Sequence, residues 1–164
     1  MDRFIIWLAS GCYSGYLPLA PGTAGTLVGI PVYFLFSFFP PSIYLLSSAA
    51  AFFLAWWASE RAEVIFGRRD SPKIVIDEIV GYLITMALLP CTLTMVIGGF
   101  LFFRVFDIIK IFPAGLIEHR VSGGLAVVLD DAVAGLYANL LLQAITHWYP
   151  HLLFIVDRWY FGSI

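Results

Sequence analysis

No charged residue occurs between Phe4 and Ser59, and a second uncharged run spans Ile79 to Phe103. A helical membrane crossing needs about 20 apolar residues, so the first run is too long for one crossing. Two breaks divide it. Tyr16 to Thr23 holds two prolines and a glycine, and Pro40-Pro41 is a turn. The pattern predicts a short helix over 4–12, a helix over 24–39 kinked at Pro31, and a helix from Ser42 to Phe66. A polar stretch containing Glu60, Arg61, Glu63, Arg68, Arg69, Asp70 and Lys73 follows. Ser71-Pro72 reads as an N-cap with proline at the first helical position. A last helix is expected from Asp130 to Trp148, with Pro150 ending it and a short apolar tail to Ile164.

The run 79–103 is either one tilted crossing or a hairpin broken at Pro90-Cys91-Thr92. Cytoplasmic loops of membrane proteins carry excess Lys and Arg. A hairpin places the basic residues of 61–73 and of 104–120 on one face, with all the acidic clusters. A single crossing would split them, so the hairpin is preferred. Its halves would be about 12 residues, or ~18 Å, which implies a shallow site.

Composition agrees with these lengths. The chain is 61% hydrophobic and 12% charged, with mean hydropathy +0.92. Soluble domains carry about 25% charged residues. The expectation is an all-α, compact multi-helix integral membrane bundle with short or broken helices, forming one domain over 1–164. The net charge of −2 gives no basic field for nucleic acid. Cys12 and Cys91 have neither metal spacing nor a disulfide framework. The first apolar stretch resembles a signal peptide, but its basic region is thin and further membrane segments follow, so it is read as retained.

In such a chain grouped carboxylates are costly unless cations or water offset them. Asp77-Glu78 precedes Gly81, and Asp130-Asp131 precedes Gly135. Asp77 and Gly81, like Asp131 and Gly135, are four apart and share a helix face. A small residue there lets a second helix approach and brings the carboxylates together. Converging oxygens suit Mg²⁺. For either pair alone, a helix cap or a membrane-boundary marker is an equally good reading; two pairs plus Asp107 weigh against it. Arg104, Asp107 and Lys110 follow at three-residue spacing, so cations beside a carboxylate could hold phosphate. Pro21 to Thr26 precedes a helix, and such a turn offers free N–H groups and hydroxyls to an anion. His147 and His151 are four apart but sit among interfacial aromatics, so a belt is the better reading than a metal pair.

Together these stretches resemble the phosphatidylglycerophosphatase A family: Pro21 to Thr26, Asp70-Ser-Pro72 with Ile76 to Gly81, Phe103 to Lys110, and Gly123-Gly124 with Asp130 to Gly135. The chain departs from the family pattern at Ile111, where proline is usual, and at Ala126 to Leu129. The resemblance implies a helical enzyme of the bacterial inner membrane, multi-pass, with its site facing the cytoplasm. It implies Mg²⁺-dependent removal of the terminal phosphate of phosphatidylglycerol phosphate in phospholipid biosynthesis. Asp77, Glu78, Asp107, Asp130 and Asp131 would be the metal ligands, with Asp131, Glu78 and Asp107 also catalytic. Arg104, Lys110 and Thr23 would contact substrate. The partners implied are the phospholipid and the bilayer, with a homo-oligomer open. Other classes predict different behaviour. A cation-coupled transporter would bind its ion at these acids, and a non-catalytic membrane subunit would tolerate their amides. A CDP-alcohol-type phosphotransferase would carry a longer aspartate signature.

Overall fold

The computed structural model describes residues 1–110, 112 and 121–148, and those residues form six α-helices and one short 3₁₀ turn. The helices are α1 Asp2–Ala9, α2 Pro21–Ser37, α3 Pro41–Phe66, α4 Ile76–Thr85, α5 Leu93–Ile109 and α6 Gly124–Trp148. Pro113, Gly115, His119, Arg120, the break at Pro150, His151 and the apolar tail lie outside the described residues.

Three boundaries differ from expectation. Pro21 is itself at the first helical position of α2, since its missing N–H costs nothing there. Ser71-Pro72 does not start a helix; α4 begins at Ile76 after the N-cap Val75, and Ser71 instead accepts the Ile74 N–H through its carbonyl. α6 starts six residues before Asp130, at Gly124, so Asp130 and Asp131 sit in its second turn and cap nothing. Glu60, Arg61 and Glu63 belong to the end of α3, which reaches Phe66 as expected, so the polar stretch begins inside the helix.

The run 79–103 is divided between α4 and α5, joined through 86–92. Glu78 at the start of α4 meets Arg104 near the end of α5, so the two helices run in opposite directions. The halves are unequal at 10 and 17 residues, because α5 continues through Arg104 and Asp107. Thr92 starts α5 by accepting the Met95 N–H on its side chain, 3.3 Å.

At 10 residues α4 is ~15 Å long, half of an apolar bilayer core. Its last carbonyls therefore need partners inside the protein. Asn139 of α6 supplies them, donating through Nδ2 to Thr85 O and Ala87 O, each at 2.8 Å. Gln143 holds the Asn139 amide oxygen at 2.7 Å, and Tyr44 donates to Leu83 O at 2.7 Å. The broken helix is thus anchored by side chains from α3 and α6.

Only α3 and α6 are long and apolar enough to cross a membrane among the described residues. Leu46, Phe53, Leu101 and Leu140 point outward, exposed, while Ala55, Ala58 and Ala62 are buried. Large apolar groups outside and small ones inside suit an apolar solvent, the arrangement a membrane bundle requires. The packing core lies where α4 crosses α6. A side chain at Gly135 would overlap the Gly81 carbonyl, and one at Gly81 would meet Phe103 and the Asp131 carbonyl at 2.5 and 2.9 Å. The two glycines thus allow the close approach expected of them.

Candidate active site

Five helix ends meet at one end of the bundle: the starts of α2, α4 and α6 and the ends of α3 and α5. Helix starts carry partial positive charge, so three of them favour carboxylates and anions here. Because α4 and α6 touch at Gly81 and Gly135, the acids one turn earlier on each helix come together. Asp77, Glu78 and Asp131 each offer an oxygen, and these atoms lie within 4.8 Å of one another. Asp77 and Asp131 are 7% and 4% exposed. Asp77 Oδ1, Glu78 Oε2 and Asp131 Oδ2 are buried with no hydrogen-bond partner.

Unpaired buried carboxylate oxygens are costly, and a native structure keeps them where something else satisfies them. Asp77 and Glu78 precede the apolar run. Burial holds both carboxyls above the ordinary range, Asp77 at about 7, and for Glu78 the Asp77 charge adds to the effect. A group of hard oxygen donors, unpaired and converging, fits a hard divalent cation. Asp77, Glu78 and Asp131 can hold a metal ion.

Two ion pairs flank this triad. Arg104 holds Asp107 at 2.6 Å, three residues on along α5, and reaches Glu78 at 3.9 Å. The expected pairing of Arg104 with Asp107 is therefore present. Lys110 does not continue their helical row. It ends α5 in the left-handed conformation, φ 48°, which turns its side chain to Asp130 at 2.9 Å.

Asp77, Glu78, Asp107, Lys110, Asp130 and Asp131 line one cavity of about 360 Å³. Arg104 and Thr23 are not among its lining residues. Thr23 sits half-buried in the first turn of α2. Its neighbour Gly22 makes the contact in its place: a side chain there would overlap Glu78 Oε1 and crowd the Arg104 guanidinium at 3.0 Å.

The remaining wall was given no chemical role from sequence, although Asp70 and Gly123 belong to the stretches that carry the resemblance. Glu63, Arg69, Asp70, Ser122 and Gly123 complete the cavity. Glu63 Oε1 accepts the Asp70 N–H at 2.8 Å, closing the loop after α3 onto the helix it leaves. Glu60 accepts the Gly124 N–H at 2.8 Å and so caps α6 from another helix. A side chain at Gly124 would overlap the Glu60 backbone, which fixes how closely α6 starts against α3. The sequence signals for this wall were the charge density of 60–73 and the Asp70-Ser-Pro72 and Gly123-Gly124 stretches.

A family profile described as Phosphatidylglycerophosphatase A matches residues 7–146. The chain belongs to the phosphatidylglycerophosphatase A family. It is 34% identical over 144 residues to phosphatidylglycerophosphatase A of Escherichia coli K12, covering 87% of this chain and 84% of the relative. It is 34% identical over 146 residues to the protein of the same name from Haemophilus influenzae, covering 86% and 88%. A putative phosphatidylinositol-3-phosphatase of Bacteroides thetaiotaomicron is also 34% identical, over 152 residues, covering 87% and 93%. No solved structure matches the chain. The matched residues contain all the carboxylates of the cavity, and the family is one of enzymes.

Proposed function

We propose that this protein hydrolyses the terminal phosphomonoester of phosphatidylglycerol phosphate in a Mg²⁺-dependent reaction at the cytoplasmic face of a bacterial inner membrane. The observation that carries the reading is the convergence of three unpaired buried carboxylate oxygens beside the Arg104–Asp107 pair. The family and its named relatives supply the substrate class. The charge balance of the cavity supports a metal. Among the described residues seven carboxylates and two cations line it, so a phosphate there meets a net negative wall that a bound cation would offset.

Asp77, Glu78 and Asp131 would hold the Mg²⁺, with Asp107 and Asp130 completing the acidic shell. Bound there, the ion supplies Lewis-acid polarisation of a phosphoryl oxygen. Arg104, fixed by Asp107, and Lys110, fixed by Asp130, offset charge on the transferring phosphoryl group. Thr23 and the start of α2 contact the headgroup. A free oxygen of Asp131 or Glu78 takes the proton of the attacking water. The phosphorus–glycerol oxygen bond breaks, and the same carboxyl returns the proton to the leaving oxygen. The acyl chains stay in the leaflet beside the outward apolar faces, which makes the protein multi-pass with its charged end in the cytoplasm.

The test is phosphate release by purified, detergent-solubilised protein from phosphatidylglycerol phosphate, with Mg²⁺ and with EDTA. Mg²⁺-dependent release supports the reading. No release by folded protein sinks it and turns attention to cation flux in liposomes. One relative carries a phosphatidylinositol name, so phosphatidylinositol 3-phosphate belongs in the same assay.

A further inference from the structure

We propose that Arg69 forms a second phosphate subsite at the cavity mouth, one that binds the phosphodiester of the substrate headgroup and so selects lipids carrying two phosphates. This rests on the function proposed above. Among the described residues three cations lie in or against the cavity, and two are committed. Arg104 pairs with Asp107 and Glu78, and Lys110 pairs with Asp130. Arg69 lines the same cavity, and no ion pair engages it among the described residues.

Its position is built, not incidental. Gly67 ends α3 in the left-handed conformation, φ 63°, and Asp70 is left-handed at φ 44°. A left-handed aspartate is uncommon and needs support. The Glu63 carboxylate provides it through the Asp70 N–H at 2.8 Å. This closure holds the short exposed loop against the cavity, which Arg69 and Asp70 line.

The chemistry follows from geometry. The carboxylate triad is deep and buried, which suits the phosphomonoester to be cleaved. Arg69 is exposed at the rim. A headgroup entering from the leaflet places its monoester at the triad and trails its diester, attached to the diacylglycerol, toward the mouth. A guanidinium presents a planar fork of N–H donors matched to phosphate oxygens. Phosphatidylglycerol phosphate and phosphatidylinositol 3-phosphate differ in their polyol, yet both carry one diester and one monoester phosphate. Phosphatidic acid carries the monoester alone. A diester subsite explains how one site shape serves relatives bearing both names.

The experiment compares wild type with Arg69→Ala and Arg69→Lys in mixed micelles with Mg²⁺. Two inhibitors are used alongside the substrate. Phosphatidylglycerol retains only the diester, and inorganic phosphate represents only the monoester. Losing a charge-assisted contact should raise KM for phosphatidylglycerol phosphate about tenfold with kcat within about twofold. Inhibition by phosphatidylglycerol should weaken by about the same factor while inhibition by inorganic phosphate is unchanged, and Arg69→Lys should recover part of the loss. An unchanged KM in Arg69→Ala overturns the proposal. Equal weakening of both inhibitors does so too, because Arg69 would then serve the monoester or the fold. Absence of wild-type turnover is a different result: it removes the phosphatase reading itself.

Discussion

The two ends of α4 treat buried polar groups in opposite ways. At its far end, the Asn139 amide, the Thr85 hydroxyl and the Tyr44 hydroxyl all find carbonyl partners, and no formal charge is involved. At its near end, Asp77, Glu78 and Asp131 keep buried oxygens without partners. Both ends lie in the same short helix and pack on the same α6. A satisfied network rigidifies and closes a structure. An unsatisfied one stores a capacity to bind. The far end is therefore architecture, and the near end carries the group of carboxylates that could hold a metal ion.

The contrast can be broken most sharply at the triad. Asp131→Asn should lower phosphate release about a thousandfold. Thermal stability in detergent with EDTA should not fall, because an unpaired buried charge has been removed. A variant that unfolds, or one that keeps its activity, would contradict the division between the two ends. Asp77→Asn should behave alike.

Asn139→Leu should do the reverse. It strands two carbonyls and costs ~2 kcal/mol. The melting temperature should fall, while turnover per folded molecule at low temperature stays near wild type. A pure loss of turnover at unchanged stability would mean that the far end reports to the site.

Adding Mg²⁺ to the EDTA-treated wild type should raise its melting temperature, since a ligand that binds only the folded state stabilises it. Asp131→Asn should lose most of that rise, and Asn139→Leu should keep it. Equal rises in all three proteins would place the ion elsewhere.

Glu60→Ala removes the cap of α6 and should weaken apparent Mg²⁺ affinity severalfold through the placement of Asp131, with Glu60→Gln milder. The smallest effect is expected at Thr23→Ala, about threefold in KM from the loss of one neutral hydrogen bond to the headgroup.

The sequence already named the acids that the structure brings to one cavity, because uncompensated charge in an uncharged chain has few places to be. It also showed the glycines that bring them together, since Gly81 and Gly135 stand one turn beyond Asp77 and Asp131. The break of 79–103 was legible from Pro90 and from the placement of basic residues, though the halves proved unequal. The clamp by Asn139 was not legible. A lone amide in an apolar run has no periodic partner, and its two carbonyls lie more than 50 residues away. Ser71-Pro72 misled because a cap signal acts only where a helix can follow, and here the chain first passes Val75 against Ala9.

What the sequence determined by itself is the apolar character, the helical class and the acids that meet at one cavity, all properties of composition and spacing along the chain. The tertiary structure decided the rest: that Lys110 serves Asp130, that Gly22 and not Thr23 touches Glu78, and that Glu63, Arg69 and Asp70 wall the cavity. Those choices depend on which helix ends meet. That is settled by close approaches such as Gly124 against Glu60 and by left-handed turns at Gly67, Asp70 and Lys110. Local spacing cannot encode such meetings, because each joins residues far apart in the chain through packing that the whole bundle must agree on.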